Sequence, residues 1–472
     1  MPSARRGLDM REQSQAMHRK RDKLSAGHDL GGTANGRFLI RKVFRYLQGW
    51  KLEGLYASVT IICGLILIYW DRRPARNDDR AHLGRLRQLA SGTLLPVQSP
   101  DGSDLYGYWR DGIFRPFNNT AVNSPVAYYP SILAFRIHWN DYLLACIFTL
   151  VCSTLTATIA IHVAMRYRYV ICAAALLPAV FFSFLYVTTD AVINSLSLLF
   201  VAIALRLHQR AEVTWPQTIL ITVLAPLVAL TKTTSVVLLA MLFLPVIAVW
   251  RERHIIRWRM LLPLASGSAA CLVWQRMTSH IPPILGTDFT LERYQDAQQL
   301  LVSHPLEFLQ SLLITLVQPL DFNKKFDKYN SVRNLQFFAG SEKAQLPTGI
   351  MLLIFVAIVL LLVKNNINQH EIHWQERTIM GFMIAGFYVL TCAAMLLVGS
   401  GLLTTDKLGA YADGMQNRYF IPVLAPMALM LPDFGLTVKR SHVINATIAS
   451  CLVLGYAGIV CAHVIAFPKV VA

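Results

Sequence analysis

The sequence predicts an all-α polytopic integral membrane protein with about eleven transmembrane helices and short helices along its extracytoplasmic loops. Three observations predict this class. Hydrophobic residues make up 54% of the 472 and charged residues only 15%, against roughly a quarter charged in soluble domains. Mean hydropathy is +0.44. Apolar runs long enough for a bilayer core of about 30 Å recur along the chain, separated by polar or basic stretches.

The formal net charge of +17 would suggest nucleic acid as the partner of a soluble protein. Here the cations gather at the N-terminus and in short loops, so cytoplasmic orientation accounts for them and no nucleic acid is expected. Residues 1–51 carry Arg5, Arg6, Arg11, Arg19, Lys20, Arg21 and Lys23 and no apolar core. They read as a basic cytoplasmic tail, partly disordered, and not as a cleavable signal peptide. Within it, residues 37–49 alternate basic and apolar side chains, a pattern suited to an anionic membrane surface.

Residues 52–467 form the transmembrane domain, and 468–472 a short tail. The first span, 52–70, follows basic residues and so runs outward to a polar outer loop, 71–140. Span two, 142–165, ends inside at Arg166 and Arg168; span three, 169–186, returns to Asp190; span four, 191–207, ends at His208 and Arg210. Residues 218–230 and 235–250 flank Thr231-Lys232-Thr233-Thr234. One helix through both would be roughly 50 Å long, too long for a single crossing, so a hairpin with Lys232 at its outer tip is expected. Span seven, 260–274, leads to a large outer loop, 275–347, in which 304–320 reads as an interfacial helix or a twelfth span. Spans eight to eleven are 348–363, 379–398, 419–431 and 442–466. Their basic connections alternate with this count, and no inverted repeat stands out. The eight cysteines all fall in apolar stretches, without CxxC spacing. They read as small buried hydrophobes rather than a disulfide framework or a zinc site.

Ionisable groups in membrane helices cost about 2.5–3.5 kcal/mol each on insertion scales and so tend to have a purpose. In this topology Asp78, Asp79, Asp190, Lys232 and Arg418 all fall on the outer side. Carboxylates and cations on one face suit a phosphorylated or otherwise anionic substrate. Each has a plainer explanation taken singly: Lys232 as a snorkelling side chain, Arg418-Tyr419-Phe420 as an interfacial belt, Asp190 as a helix-start carboxylate.

The segment Asn77-Asp78-Asp79-Arg80-Ala81-His82-Leu83, followed by Leu86 to Gly92, resembles the P-D-E-P-A-H-F … G motif of the bacterial membrane proteins grouped as domain of unknown function 2142. Thr189-Asp190-Ala191-Val192-Ile193-Asn194 resembles that family's S-D-A-x-x-N, and Ala229-Leu230-Thr231-Lys232 its A-x-x-K. His304-Pro305-Leu306-Glu307-Phe308 is similar to its H-P-x-x-F, and Gln416-Asn417-Arg418-Tyr419-Phe420-Ile421-Pro422 to its Q-G-R-Y-F-x-P. The resemblance runs over about 55–430, with Asp79 in place of glutamate, Asn77 of proline and Asn417 of glycine.

The family in turn resembles the C-type (GT-C) glycosyltransferases, which use polyprenyl-phosphate-linked sugars and carry an acidic residue in the first extracytoplasmic loop. That resemblance implies a glycosyltransferase of the bacterial cytoplasmic membrane, acting at its outer face on a cell-envelope glycan or glycolipid. Asp78 or Asp79 would be the catalytic carboxylate, acting as general base. Lys232, Arg418 and Tyr419 would hold the lipid phosphate, and His82, Asp190 and Asn194 would complete substrate binding. The expected partners are a lipid-linked sugar donor, a glycan or glycolipid acceptor and membrane lipids. No cofactor is required, while the adjacent aspartates leave a divalent cation open. A flippase of lipid-linked saccharides should place its charges near the midplane and show paired repeats, which this chain does not. A non-catalytic assembly partner is the other alternative.

Overall fold

A computed structural model describes residues 51–71, 78–100, 106–117, 120–255, 258–281, 290–317, 346–367, 372–399, 402–412, 415–432, 434 and 441–466. The expected tails at 1–50 and 468–472, and the end of the interfacial segment at 318–320, lie outside the described residues. The chain forms two compact units, Met1–Leu52 and Glu53–Ala472, and the second carries the fold that follows.

Helix α1 (Lys51–Trp70) leads into a connecting region built of α2 (Asp78–Ala90), three short strands, a 3-10 turn (Pro125–Tyr128) and α3 (Tyr129–Ile137). The strands β1 (Val97–Gln98), β2 (Tyr106–Arg110) and β3 (Ile113–Pro116) form an antiparallel sheet in the order β1-β2-β3. Helices α4 (Tyr142–Val163), α5 (Arg168–Ala175), α6 (Pro178–Ser183), α7 (Thr189–Arg210) and α8 (Trp215–Thr231) follow. A 3-10 stretch (Thr233–Leu242) continues as α9 (Phe243–Arg253), and then come α10 (Leu261–Thr278), α11 (Leu291–Ser303), α12 (Pro305–Val317), α13 (Thr348–Ile367) and α14 (Trp374–Val398). A final 3-10 turn (Asn417–Phe420) runs into α15 (Ile421–Leu429), and α16 (Ser441–Ala466) closes the described chain.

Among the described residues, seven segments are long and apolar enough to cross a bilayer: α1, α4, α7, the Thr233–Arg253 stretch, α13, α14 and α16. Each coincides with an expected span. The other four expected spans are shorter, broken or less apolar. Span three is divided between α5 and α6, because Pro178 has no N–H to continue the ladder and starts a new helix instead. Spans five and ten are α8, with 17 residues, and α15, with 9; span seven is α10. Within the seven, α7 has 89% of its apolar window buried, against 28–56% for the others. It is the central post, packed by α4, α8, α9 and α15.

Polar contacts sort the helix ends into two sets. At one end Arg253 pairs with Glu212 at 3.7 Å, the Trp215 and Trp258 rings meet at 6.5 Å, and Lys364 Nζ lies 4.6 Å over the Tyr169 ring. The feet of α8 and α9 therefore share this end, and Lys232 lies at the turn of a hairpin. We call it the basic end; at the opposite one, the site end, the connecting region is tied down. Trp274 Nε1 donates to the Val122 carbonyl at 2.9 Å and Tyr106 OH to that of His280 at 3.3 Å.

The expected interfacial segment is α12, bent by 89° from α11, with Pro305 as the first helical residue after His304. Leu306, Leu309, Leu313 and Leu316 are exposed while Ser311 and Thr315 are buried. This inside-out face suits a helix whose solvent is lipid on one side and protein on the other. Two features depart from the sequence expectation. The small sheet is an addition, closed by Asp111 and Gly112 at φ 52° and 72°, the Asp-Gly pairing that a tight hairpin favours. Of the cysteines, five are buried as expected, while Cys63 and Cys152 are half-buried and Cys461 is exposed, since these three lie on outward faces of their helices.

Candidate functional site

The site grows from three chain breaks at the site end. The first is the start of α7, where Asp190 occupies the first turn after Thr188, a position in which the unpaired N–H groups of the helix favour a carboxylate. The second is the break between α8 and the 3-10 stretch. Lys232 is extended there, at φ −158° and ψ 143°, within a Thr-Lys-Thr-Thr run whose β-branched residues resist continuing the helix. The third is the 3-10 turn before α15, which holds Arg418 and Tyr419.

These three breaks meet. Arg418 Nε lies 3.8 Å from Asp190 Oδ2, with the two side chains 30% and 28% exposed. Lys232 Nζ sits 4.3 Å from the centre of the Tyr419 ring, and the Arg418 guanidinium 5.8 Å from the same ring. Burial holds the Lys232 pKa below the usual lysine value; the Asp190 carboxylate acts against that shift and Arg418 adds to it. Among the described residues, two cations, one carboxylate and an aromatic face meet here, and such cations attract a phosphate or carboxylate and orient it by charge-assisted hydrogen bonds.

The approach of Arg418 is braced by α12. Ser311 Oγ accepts from the Gly409 N–H and Thr315 Oγ1 from the Ala412 N–H, both at 2.9 Å. Tyr388 OH donates to the Leu312 carbonyl at 2.6 Å. Ala297, Cys392, Leu396, Leu403, Ala412 and Met415 close a small core beneath, against which Phe308, Tyr419 and Phe420 pack. The His-Pro-x-x-Phe segment thus acts at a distance: its proline starts α12 and its phenylalanine seats it.

On the other side lies the connecting region. Asn123 Nδ2 donates to the Tyr128 oxygen at 3.1 Å, and Tyr128 lies 2.6 Å from His82 Nδ1. With the phenol donating to Nδ1, the matching imidazole tautomer is the one with its proton on Nε2. Burial raises the Tyr128 pKa well above the tyrosine range, Asn123 and Arg85 lower it, and the nearby Asp190 carboxylate raises it. The turn that carries Tyr128 packs against α7, the helix that Asp190 begins. Asp78 and Asp79 open α2 one turn before His82, and their side chains lie outside the described residues. Asn194 is placed one turn deeper, only 3% exposed, where its Nδ2 donates to Ser183 Oγ at 3.3 Å and ties α6 to α7.

Arg85, Asn123 and Tyr128 carry no signal in the sequence, where Arg85 is one more basic residue of a polar helix. Arg85 is fully buried. It donates to the Asn123 carbonyl at 2.7 and 3.1 Å, to the Leu94 carbonyl at 3.0 Å, and to Gln88 Oε1. Burial lowers its pKa to about 10, with Tyr128 opposing, so it is still charged at neutral pH. Those carbonyls make the buried charge tolerable, and the charge in turn pins the chain that carries Tyr128. Replacing Arg85 with methionine leaves the Asn123 and Leu94 carbonyls and the buried Gln88 amide without this partner. We expect a loss of about 2–4 kcal/mol in the connecting region, read as faster amide hydrogen exchange at 120–128 with α7 and α14 unchanged. Uniform exchange across the protein would contradict this.

A family model described as "Predicted membrane protein (DUF2142)" matches residues 108–427. The match includes Asp190, Lys232 and Arg418, and begins after the Asn77–Gly92 segment. No curated protein matches the chain. Among solved structures, the archaeal oligosaccharyltransferase AglB from Archaeoglobus fulgidus, in complex with an inhibitory peptide and a dolichol-phosphate, is similar at a TM-score of 0.38 and 12% identity. That alignment covers 87% of this chain and 56% of the archaeal protein, so the chain spans little more than half of its length. With the family match running over well more than half of its residues, the chain belongs to the DUF2142 family of membrane proteins.

Proposed function

We propose that this protein is a membrane glycosyltransferase that moves a sugar from a polyprenyl-phosphate donor to a cell-envelope glycan or glycolipid, at the extracytoplasmic face of a bacterial cytoplasmic membrane. The observation that carries this reading is the meeting of Arg418, Lys232, Tyr419 and Asp190 beside the helix that Asp78 and Asp79 open. The resemblance of these segments to the DUF2142 motifs, and of that family to the GT-C glycosyltransferases, supplies the reaction class.

In this reading Lys232 and Arg418 bind the donor phosphate, with Tyr419 holding both cations in place. The acceptor hydroxyl attacks the anomeric carbon while the bond from that carbon to the phosphate oxygen breaks. The hydroxyl proton passes to Asp78 or Asp79, and the lipid phosphate leaves with the bonding pair. The negative charge that develops on the leaving phosphate is met by the two cations, which are already in place when it forms. Asp190 orients Arg418 by its ion pair. His82, fixed by Tyr128, offers Nε2–H to the acceptor or to the aspartates.

A deletion strain tests the proposal. It should lose an envelope glycan and accumulate a polyprenyl-phosphate sugar, identified by mass spectrometry. The wild-type gene should clear that intermediate, whereas Asp78→Asn, Asp79→Asn and Arg418→Gln, expressed at equal levels, should include variants that do not. No accumulation in the deletion strain, or full rescue by all three variants, would remove the reading.

A further inference from the structure

We infer that the groove between the α5–α6 segment, α13 and α15 is a binding site for one acyl chain of a phospholipid, taken from the leaflet at the basic end. The groove holds about 480 Å³, inside the range of roughly 300–1,000 Å³ typical of small-molecule sites. Its walls run from Val170 to Pro178, from Met351 to Leu362 along α13, and from Leu424 to Leu431 along α15. On α13 and α15 the lining positions recur mostly three or four residues apart, so each helix turns a single face inward. Every lining side chain is apolar. Water finds no side-chain partner there, and the fitting occupant is hydrocarbon.

The groove is a slot and not a sealed cavity. Helix α5 packs against both α13 and α15, and the floor of Val170, Ala173, Ala174 and Ile354 is buried. The rim is open: Phe355 is 52% exposed, Leu431 45% and Met427 43%. In a chain that spans a bilayer, such a rim faces lipid tails.

Length selects the chain. From Met351 to Leu362 the slot follows α13 for roughly 16 Å, about half of a hydrocarbon core of about 30 Å. It is therefore one leaflet deep. Its lower end, at Val170, Leu362 and Leu431, lies beside Tyr169, over whose ring Lys364 Nζ sits at 4.6 Å and the Arg168 guanidinium at 5.0 Å. An aromatic ring flanked by cations marks a membrane boundary. A fatty acyl chain reaches from that boundary to the bilayer centre and fills the slot, whereas a polyprenyl chain, far longer than one leaflet, overruns it. The headgroup stays at the interface and is not selected.

The occupant completes a helix that is weak by itself. Helix α15 has nine residues and carries Pro426 within it, which removes a backbone hydrogen bond. One face of α15 packs on α7 and α14, and the acyl chain covers the face from Leu424 to Leu431. The turn that holds Arg418 and Tyr419 runs directly into α15, so the lipid steadies their footing. The assignment does not depend on the sugar-transfer chemistry proposed above.

The test places the full chain in phosphatidylcholine nanodiscs with a trace of phosphatidylglycerol that bears a diazirine midway along one palmitoyl chain. After photolysis, peptide mass spectrometry should find the segments 351–362 and 424–431 labelled at least about tenfold more than the comparably exposed Ile62–Ile66 stretch of α1. Ala428→Phe fills the slot and should bring that labelling down to the α1 level, while Ala428→Ser, too small to block it, should keep it. Undecaprenyl phosphate added in excess over the probe should leave the wild-type pattern unchanged. Even labelling of all exposed helix faces would mean surrounding lipid only and would overturn the site, as would labelling that persists in Ala428→Phe. Displacement by undecaprenyl phosphate would give the groove to a lipid-linked donor and overturn the acyl assignment. None of these readouts is sugar transfer, so each stands whether or not the glycosyltransferase reading does.

Discussion

On the proposed function, replacing Arg418 with lysine is expected to lower the rate of sugar transfer by about 100-fold, the usual effect of removing one donor aimed at developing charge. The charge is conserved, so the loss must come from shape. Arginine offers a planar fork that can hold Asp190 on one edge, at 3.8 Å, and a phosphate on the other, while lysine presents a single point of charge. The effect should fall on kcat, with KM for the lipid donor changing by no more than about threefold, because Lys232 still supplies ground-state attraction. The assay uses donor lipid extracted from a deletion strain and protein purified in detergent. A lysine variant within about threefold of wild-type kcat would mean that the guanidinium does not face the leaving group.

The second large effect is on stability and lies at the other end of the molecule. Glu376 is fully buried, and its Oε1 accepts from His208 Nε2 and Arg251 Nη1, both at 2.9 Å. Its Oε2 accepts from the His373 N–H at 2.7 Å. One carboxylate thus joins the ends of α7 and α9 to the start of α14. Glu376→Ala removes every one of these bonds and leaves His208 enclosed. Breaking a buried pair by deleting one partner costs about 3–5 kcal/mol, and the 35% exposure of Arg251, which lets it find water, favours about 3. Glu376→Gln keeps the acceptor for His373 and should lose about half as much. Denaturant unfolding in detergent measures both. Transfer by the folded fraction should stay close to wild type, since the network lies at the basic end. Loss of activity without loss of stability would show that the two ends are coupled.

The helices were legible because lipid imposes a simple rule: the spanning segment must be apolar over its length and must satisfy its own backbone. The rule works for α1, α4, α7, α13, α14 and α16, whose apolar runs are uninterrupted. It fails to foresee the split into α5 and α6, because the break depends on one proline inside a run that is apolar throughout. It also misses β2 and β3, whose core is four scattered residues, Tyr108, Phe117, Ala121 and Ile281.

Asp190, Lys232, Arg418 and Tyr419 stood out from sequence as polar groups where apolar helices start or stop, since an ionisable group beside lipid is costly enough to be conspicuous. Arg85, Asn123 and Tyr128 did not, because a polar residue in a polar loop costs nothing by itself. Their part rests on hydrogen bonds across 38 and 46 positions of chain, from Arg85 to Asn123 and from His82 to Tyr128. Glu376, His208 and Arg251 were hidden for the same reason: each is ordinary at a helix end until the other two are beside it.

By itself, then, the sequence determined that this is a multi-pass membrane protein of the DUF2142 family and which few polar residues border its helices. Both follow from local cost, residue by residue, against a hydrocarbon solvent. Only the tertiary structure decided that the ends of α7, α8 and the 3-10 turn before α15 converge, and that Asp190 rather than Asn194 faces the cations. It also decided that His82 is held by a phenol from a different segment. Those are properties of distances between remote parts of the chain, set by how α7 is packed on all sides, and no run of neighbouring residues encodes them.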